Sequence, residues 1–347
     1  MSIKSYRLGI DIGGTFTDLT LLAQDDGRMI SLKTPTVPSD PAKGIVNGLE
    51  LLAQQGIQPS DIGYFVHGTT IGLNTLLQRK GAAIALFVTE GFRDILAFQR
   101  LRLPVPYDFR SRLPEPLLPR ELVFPITERM RFDGTVETSL DSNKLDQAID
   151  SALAKRVQGI ALCFLHSYKN PKHEKEAFQR IQQRAPGLTV CMSSELWPEI
   201  REYERTMMTI INLYIQPNIQ DYFNSLKKRL HDQGMHTAPY ITQSNGGIMD
   251  IESAAVAPIR TLFSGPAAGV IGAVRTSEIA DIKDIITFDM GGTSTDISIV
   301  ENGQPTFSQS SQLGGFPLML PAIDVASIGA GGGSIGWIDC GGLLKVG

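Results

Sequence analysis

The sequence predicts an α/β protein of two domains built on one plan, each a mixed sheet flanked by helices. Three observations carry that expectation. Residues 8–22 (LGIDIGGTFTDLTLL) recur 278 positions later as residues 286–300 (ITFDMGGTSTDISIV), with Asp11/Asp289, Gly13/Gly291, Gly14/Gly292, Thr15/Thr293, Thr17/Thr295 and Asp18/Asp296 identical. Short apolar runs alternate with helical patterns, which implies parallel strand pairing. The 347 residues, 42% hydrophobic and 20% charged, exceed what one ordinary core needs.

Each copy of the repeat reads as strand, tight glycine turn, strand. A further hairpin strand is expected at Met29–Lys33, before a loop punctuated by Pro35, Pro38 and Pro41. Ile45, Leu49 and Leu52 at helical spacing predict a helix over 42–55, stopped by Gly56. Ile62–Val66 is a short strand running into His67-Gly68-Thr69-Thr70 and a helix over 71–80. Ala82–Val88 is a buried-type strand that ends at Glu90, Arg93 and Asp94, and the five prolines of 103–120 mark a long irregular loop. Helices over 141–155 and 172–184 flank the strand Gly159–Phe164. Residues 201–233 form a long helical stretch that Pro217 should kink or split and Gly234 should end. The strand Pro239–Gln243, the Ala/Gly-rich helix from Ser264 and the second hairpin follow. The expected division is 1–195, a helical bridge over 196–236, and an incomplete second domain over 237–347.

Several function classes are disfavoured. A net charge of −4 gives no general attraction to nucleic acid, and Lys227-Lys228-Arg229 reads as a solvated helix face. Three widely spaced cysteines, Cys163, Cys191 and Cys340, suit neither a disulfide framework nor a zinc site. Asp11 interrupts any signal-peptide core, and no uncharged apolar run reaches the roughly 18–20 residues of a membrane span. A cytoplasmic protein is expected.

The paired turns suit phosphate chemistry. A polyphosphate needs backbone N–H donors at close range, small side chains and a metal to offset its charge. Gly13, Gly14 and Thr15 supply the first two, and the hydroxyls of Thr15 and Thr17 can donate to phosphate oxygens. Asp11 precedes the turn, where a carboxylate can hold Mg²⁺ directly or through its waters. Asp289, Gly291, Gly292, Thr293 and Thr295 repeat the set from the other copy. One D-x-G-G-T alone is a weak signal; two matched copies are not.

These turns resemble the two phosphate loops of the actin/Hsp70/sugar-kinase ATPases, whose domains are RNase H-like. More narrowly, LGIDIGGTFTDLTLL, FVHGTTIGLNTLLQRKG, TEGFRDIL, QSNGGIM, LFSGPAAGVIGA, FDMGGTSTDISIV and DVASIGAGGGSI occur in one order and resemble the N-terminal half of the hydantoinase A/5-oxoprolinase family. The resemblance implies ATP and Mg²⁺ as cofactors, with Asp11 and Asp289 as metal-holding and catalytic residues and His67 as a further catalytic contact. It implies opening of a lactam or hydantoin ring by phosphorylation of the amide oxygen. The same motifs are similar to those of ATP-dependent carboxylase subunits of the acetone carboxylase type. A small-molecule kinase and a non-enzymatic ATP-switched module are the other readings. A cyclic amide or ketone substrate, a hydantoinase B-type partner and an oligomeric state are implied, and neither nucleic acid nor membrane.

Other residues carry two readings each. His67 is a ligand contact or a histidine fixing its own loop, and Asn74 reaches the same cleft or bridges helix to loop. Glu90, Arg93 and Asp94 form a substrate clamp or a structural ion pair. Asp18 and Asp296 fix the hairpins or touch metal. Ser264-Gly265-Pro266 binds an anion or packs closely at a hinge. Gly331 and Gly332, in the run GAGGGS, are expected against the nucleotide. Family members of this type run about twice as far as a two-domain chain of ordinary size. The sequence therefore reads as a shortened chain, a gene fragment or a split subunit with weak or no turnover alone.

Overall fold

The two copies of the repeat fold into hairpins of one register. The computed structural model describes residues 6–346 other than Pro38, Arg102 and Thr293. In chain order it contains β1 (Tyr6–Ile12), β2 (Phe16–Ala23), β3 (Met29–Pro35), α1 (Pro41–Gln54), β4 (Ile62–Thr69) and α2 (Ile71–Leu77). Then come β5 (Ile84–Thr89), β6 (Val123–Ile126), α3 (Ser142–Ala154), β7 (Gly159–Cys163), α4 (Lys172–Arg184), β8 (Thr189–Met192) and α5 (Glu202–Asp232). The chain continues through β9 (Tyr240–Thr242), β10 (Ile248–Asp250), α6 (Ser264–Ile279), β11 (Ile285–Met290), β12 (Thr295–Glu301), β13 (Gln304–Pro305) and β14 (Ala326–Ile328). Asp11 lies opposite Asp18 across β1 and β2, and Asp289 lies opposite Asp296 across β11 and β12. The N–H of Gly13 donates to Phe16 O at 2.9 Å and that of Gly291 to Ser294 O at 2.9 Å, so both turns close with the same bond.

The chain divides into two compact units. The first comprises Met1–Leu73, Ile219–Ser310 and Leu320–Gly347, and holds both hairpins. Its larger sheet runs β10-β9-β4-β1-β2-β3, with β4 parallel to β1 and to β9. Strand alternation sorts the side chains by face. Leu8, Ile10, Ile12, Leu19 and Leu21 are buried with Ile45, Leu49 and Leu52 of α1 and with Ile219, Tyr222, Phe223 and Leu226 of α5. Each such side chain contributes about 1.5–3 kcal/mol when fully buried. Asp11 and Asp18 therefore project from the opposite face. The smaller sheet runs β11-β12-β13, with β14 also paired to β12, and Ala267, Val270 and Val274 of α6 pack with its Val300.

The second unit comprises Asn74–Asn218 and Ser311–Met319. Its sheet, β8-β7-β5-β6, is parallel throughout, and β5 and β7 are buried along their whole length. Parallel strands covered on both faces read as continuous apolar runs, as these do. Leu145 and Ile149 of α3 and Ala177 and Ile181 of α4 fill this core. Cys163 and Cys191 are buried free thiols, and burial pushes the Cys191 thiol up to about 12.

Of the two outcomes expected at Pro217, a split is excluded, because α5 runs without a break from Glu202 to Asp232. A mid-helix proline costs about 3 kcal/mol; Leu213, Ile215 and Ile219 around it are fully buried, and that packing outweighs the lost backbone bond. Among the described residues no helix is long and apolar enough to cross a membrane.

Candidate functional site

The first turn is braced from behind. Ile12 and Thr17 are opposite one another on β1 and β2 and share the core face, so Thr17 is buried. Its Oγ1 lies 3.0 Å from Thr36 Oγ1, which in turn lies 3.0 Å from the Gly13 carbonyl it donates to. The Thr36 N–H also donates to Thr15 O at 2.9 Å. The expectation that the Thr17 hydroxyl reaches a phosphate is corrected: it points inward and holds the turn. Thr36 was missed, although it directly follows β3, where Thr34 pairs with Thr17. Gly14 and Thr15 stay on the exposed tip. A Cβ on Gly13 would stand 3.1 Å from Phe16 O, so glycine permits this tight closure.

The second turn is braced by the glycine-rich run instead. The N–H groups of Gly332 and Gly333 donate to Gly291 O at 2.9 Å and Gly292 O at 2.8 Å. Thr295 Oγ1, buried, donates to Ala330 O at 2.5 Å, and Gly331 N–H donates to Ser334 Oγ at 3.0 Å. Gly332 and Gly333 thus lie directly against the second turn. Thr295, like Thr17, is an anchor turned away from the tip. Thr293 lies outside the described residues.

The two turns meet within the first unit. Thr15 Oγ1 is 4.0 Å from the Cβ position of Gly292. Helix α6 runs beside both aspartates: a Cβ on Gly265 would stand 3.3 Å from Asp11 Oδ1, and one on Gly269 3.5 Å from Asp289 Oδ2. These glycines are four residues apart on one helix face. The buried Ser264 hydroxyl accepts from Thr69 N–H and donates to Thr69 O, both at 3.1 Å, which ties the start of α6 to the end of β4. Gly68, in register with Asp11, brings its backbone against that carboxylate.

Asp11 reaches solvent, yet is crowded enough that partial desolvation raises its pKa above the ordinary carboxylate value. The like charges of Asp18 and Asp289 add to that rise. A carboxylate crowded by like charges in this way attracts a cation. Among the described residues no group of three or more His, Cys, Asp and Glu side chains could hold a metal. Two carboxylates fit Mg²⁺, which keeps several waters and takes its remaining ligands from a phosphate.

The other singled-out residues fall elsewhere. His67 is in register with Ile10, so it faces the apolar core, on the opposite side of the sheet from Asp11. Its Nε2 lies 2.6 Å from Tyr222 Oη. Burial lowers its pKa to about 4, the Ile10 backbone offsetting this only in part. On this geometry the ring is held inside the core by Tyr222 of α5, which answers neither to a ligand contact nor to a histidine fixing its own loop. Asp18 pairs with Lys33 Nζ at 3.1 Å, and Asp296 accepts from Ser327 Oγ, so both fasten hairpins. Asn74, Glu90, Arg93 and Asp94 belong to the second unit. There Glu90 accepts from Thr127 Oγ1 at 2.8 Å, Arg93 donates to Val123 O at 3.1 Å and Asp94 accepts from Arg120 Nη2 at 3.1 Å.

Residues 7–185 match the family model of the hydantoinase/oxoprolinase N-terminal region, and residues 205–347 match that of hydantoinase/oxoprolinase. The chain is 34% identical to the caprolactamase subunit alpha of Pseudomonas jessenii, over 100% of its own length and 51% of that protein. The crystal structure of ATP-dependent caprolactamase from the same organism superposes with a TM-score of 0.89 at 34% identity, covering 98% of this chain and 50% of that one. The nucleotide-free structure of acetone carboxylase superposes with a TM-score of 0.86 at 28% identity, covering 99% and 51%. The chain thus spans about half the length of these relatives.

Proposed function

The chain belongs to the hydantoinase/oxoprolinase family, and from that premise we propose that it is the ATP-binding part of an enzyme that activates a cyclic amide. Asp11 and Asp289 hold Mg²⁺ between them. The backbone N–H groups of Gly13, Gly14, Thr15, Gly291 and Gly292, with the Thr15 hydroxyl and, by the repeat, Thr293, take the phosphate oxygens. Gly331 and Gly332 lie along the nucleotide. Thr17, Thr36, Thr295 and His67 position the strands and turns and touch no ligand. When bound, Mg·ATP supplies the phosphoryl group that turns an amide oxygen, a poor leaving group, into a phosphate ester that water can displace. The protein's share is to orient the phosphates and offset charge in a fixed site. A lactam or hydantoin of the 5-oxoproline or N-methylhydantoin class is the proposed substrate. A hydantoinase B-type polypeptide, a cytoplasmic location, an oligomeric assembly and the division at 195 and 236 are part of the same reading.

The observation that carries this is the approach of Thr15 Oγ1 to within 4.0 Å of the Cβ position of Gly292, which supports reading the two turns as one anion site. Titration calorimetry of Mg·ATP into the chain tests it. Binding is expected in the wild type, with at least a hundredfold loss in Asp11→Ala and in Asp289→Ala, whereas Asp94→Ala binds as wild type. Unchanged affinity in both Asp11→Ala and Asp289→Ala would remove the proposal. Likeness to acetone carboxylase favours a second reading, activation of a ketone and bicarbonate. ADP release by the chain with its partner, scored on 5-oxoproline, hydantoins, caprolactam and ketones with and without bicarbonate, separates the two.

A further inference from the structure

Three strands carry a row of charges on the face that holds Asp11. Asp11 of β1 lies opposite Asp18 of β2, and Asp18 lies opposite Lys33 of β3. Residues directly opposite in antiparallel pairs project from the same face, so all three side chains share the side turned away from the core. Lys33 Nζ stands 3.1 Å from Asp18 Oδ1 and 5.2 Å from the centre of the Phe16 ring. Phe16 is the residue whose carbonyl closes the first turn on Gly13. The ammonium group is thus held between a carboxylate and an aromatic face, at the end of β2 next to the turn.

The second copy carries a serine at the matching place. Asp296, the counterpart of Asp18, lies opposite Ser327 of β14 and accepts from its hydroxyl. A neutral hydroxyl therefore suffices to fasten a hairpin at this position. A half-exposed ion pair such as Lys33–Asp18 also adds little to stability. Fastening leaves the charge at position 33 unexplained, whereas charge balance explains it. The like charges of Asp18 and Asp289 already weigh on Asp11, and a single Mg²⁺ leaves a triphosphate net negative. Lysine has three N–H donors, so Nζ can keep Asp18 and still donate to a phosphate oxygen.

We propose that Lys33 contacts the polyphosphate, its ammonium donating to phosphate oxygens at the first turn while Asp18 and Phe16 orient it. This extends the Mg·ATP reading of the two turns and rests on it. The halves of the clamp then differ in chemistry. The first turn meets its phosphate with backbone, metal and a fixed positive charge; the second carries Ser327 in place of that charge.

The test is calorimetric titration of Mg·ATP and of magnesium tripolyphosphate into wild type, Lys33→Met and Asp18→Asn, with a thermal melt of each. Lys33→Met removes one charged hydrogen bond and is expected to bind both ligands about tenfold or more weakly. Its Tm should stay within about 3 °C of wild type, because the ion pair adds little to stability. Asp18→Asn removes a negative charge from the same row, and its affinity is expected to rise. A lysine that only fastened the hairpin would give a clear fall in Tm and an equal loss of binding in both variants, and that pattern overturns the proposal. A loss confined to Mg·ATP also overturns it, since the contact is then with the nucleoside. Wild-type binding that Lys33→Met leaves intact removes the proposal alone. A wild-type chain that binds neither ligand removes the nucleotide reading and the role of Lys33 with it.

Discussion

Gly68 and Asp11 stand abreast on parallel strands, and a Cβ on the glycine would lie 2.9 Å from Asp11 Oδ1 and 3.3 Å from Thr242 Oγ1. The carboxylate is held against bare backbone. Gly68→Ala must therefore push it aside, since the carboxylate is the end of a side chain and the strand is not free to move. Mg·ATP affinity is expected to fall about tenfold or more, where each tenfold corresponds to about 1.4 kcal/mol. Calorimetric titration reads this directly. Wild-type affinity in the variant would mean that the placement of Asp11 does not govern binding.

Asp11 carries a cost to stability. Its pKa is raised from the ordinary 3.8 by desolvation and then by Asp18 and Asp289. A carboxyl with a higher pKa folded than unfolded keeps its proton better in the native state. Its effect on stability therefore worsens as pH rises from about 3.8 through the raised native value. At pH 7 Asp11→Asn should raise the Tm of the ligand-free chain by roughly 1–3 °C. The gain should shrink as pH falls toward 4, and Mg²⁺ should raise the Tm of the wild type more than that of the variant. Scanning calorimetry at several pH values checks all three. A lower Tm for Asp11→Asn at pH 7 would contradict the raised pKa.

Much of this was legible because the repeat specifies identity and register together. Asp11, Asp289 and the glycines between each strand pair land where their spacing put them. The errors at Thr17 and His67 share one cause, the phase of strand alternation. Thr17 shares its phase with Leu19 and Leu21, and His67 shares its phase with Phe65, so each apolar neighbour two residues away already marked them as inward. The chemistry of threonine and histidine suggested a ligand; the period of two decided otherwise. Thr36 was not legible from pattern, since its role depends on hydrogen bonds to residues 19 and 23 positions earlier in the chain. Pro217 misled because buried neighbours on α5 outweighed a local rule.

Thr36→Ala tests the brace. The substitution leaves the buried Thr17 hydroxyl and the Gly13 carbonyl without the partner they share. An unsatisfied buried polar group costs about 1–3 kcal/mol. The variant is expected to lose stability in that range and to bind Mg·ATP several-fold more weakly through a loosened turn, with Thr36→Ser restoring both. Urea melts beside nucleotide titrations give the answer. Loss of stability with intact affinity would confine Thr36 to a structural role.

His67 provides the sharpest division between support and catalysis. Its imidazole is fully buried and held by Tyr222 Oη at 2.6 Å. Burial lowers its pKa from 6.5 to about 4, so the native state favours the neutral ring. The stability this gives is fully present above the unfolded pKa and is lost as pH falls from about 6.5 toward 4. His67→Ala removes the ring and orphans the Tyr222 hydroxyl, and should cost about 2–4 kcal/mol. His67→Gln, which can keep the bond to Tyr222 but cannot titrate, should flatten the dependence of stability on pH between 7.5 and 5.5. In that folded variant Mg·ATP affinity should stay within threefold of wild type, because the side chain lies across the sheet from Asp11. Urea melts at the two pH values and a nucleotide titration decide the matter. A His67→Gln chain that keeps its stability profile yet loses nucleotide binding would return His67 to the ligand.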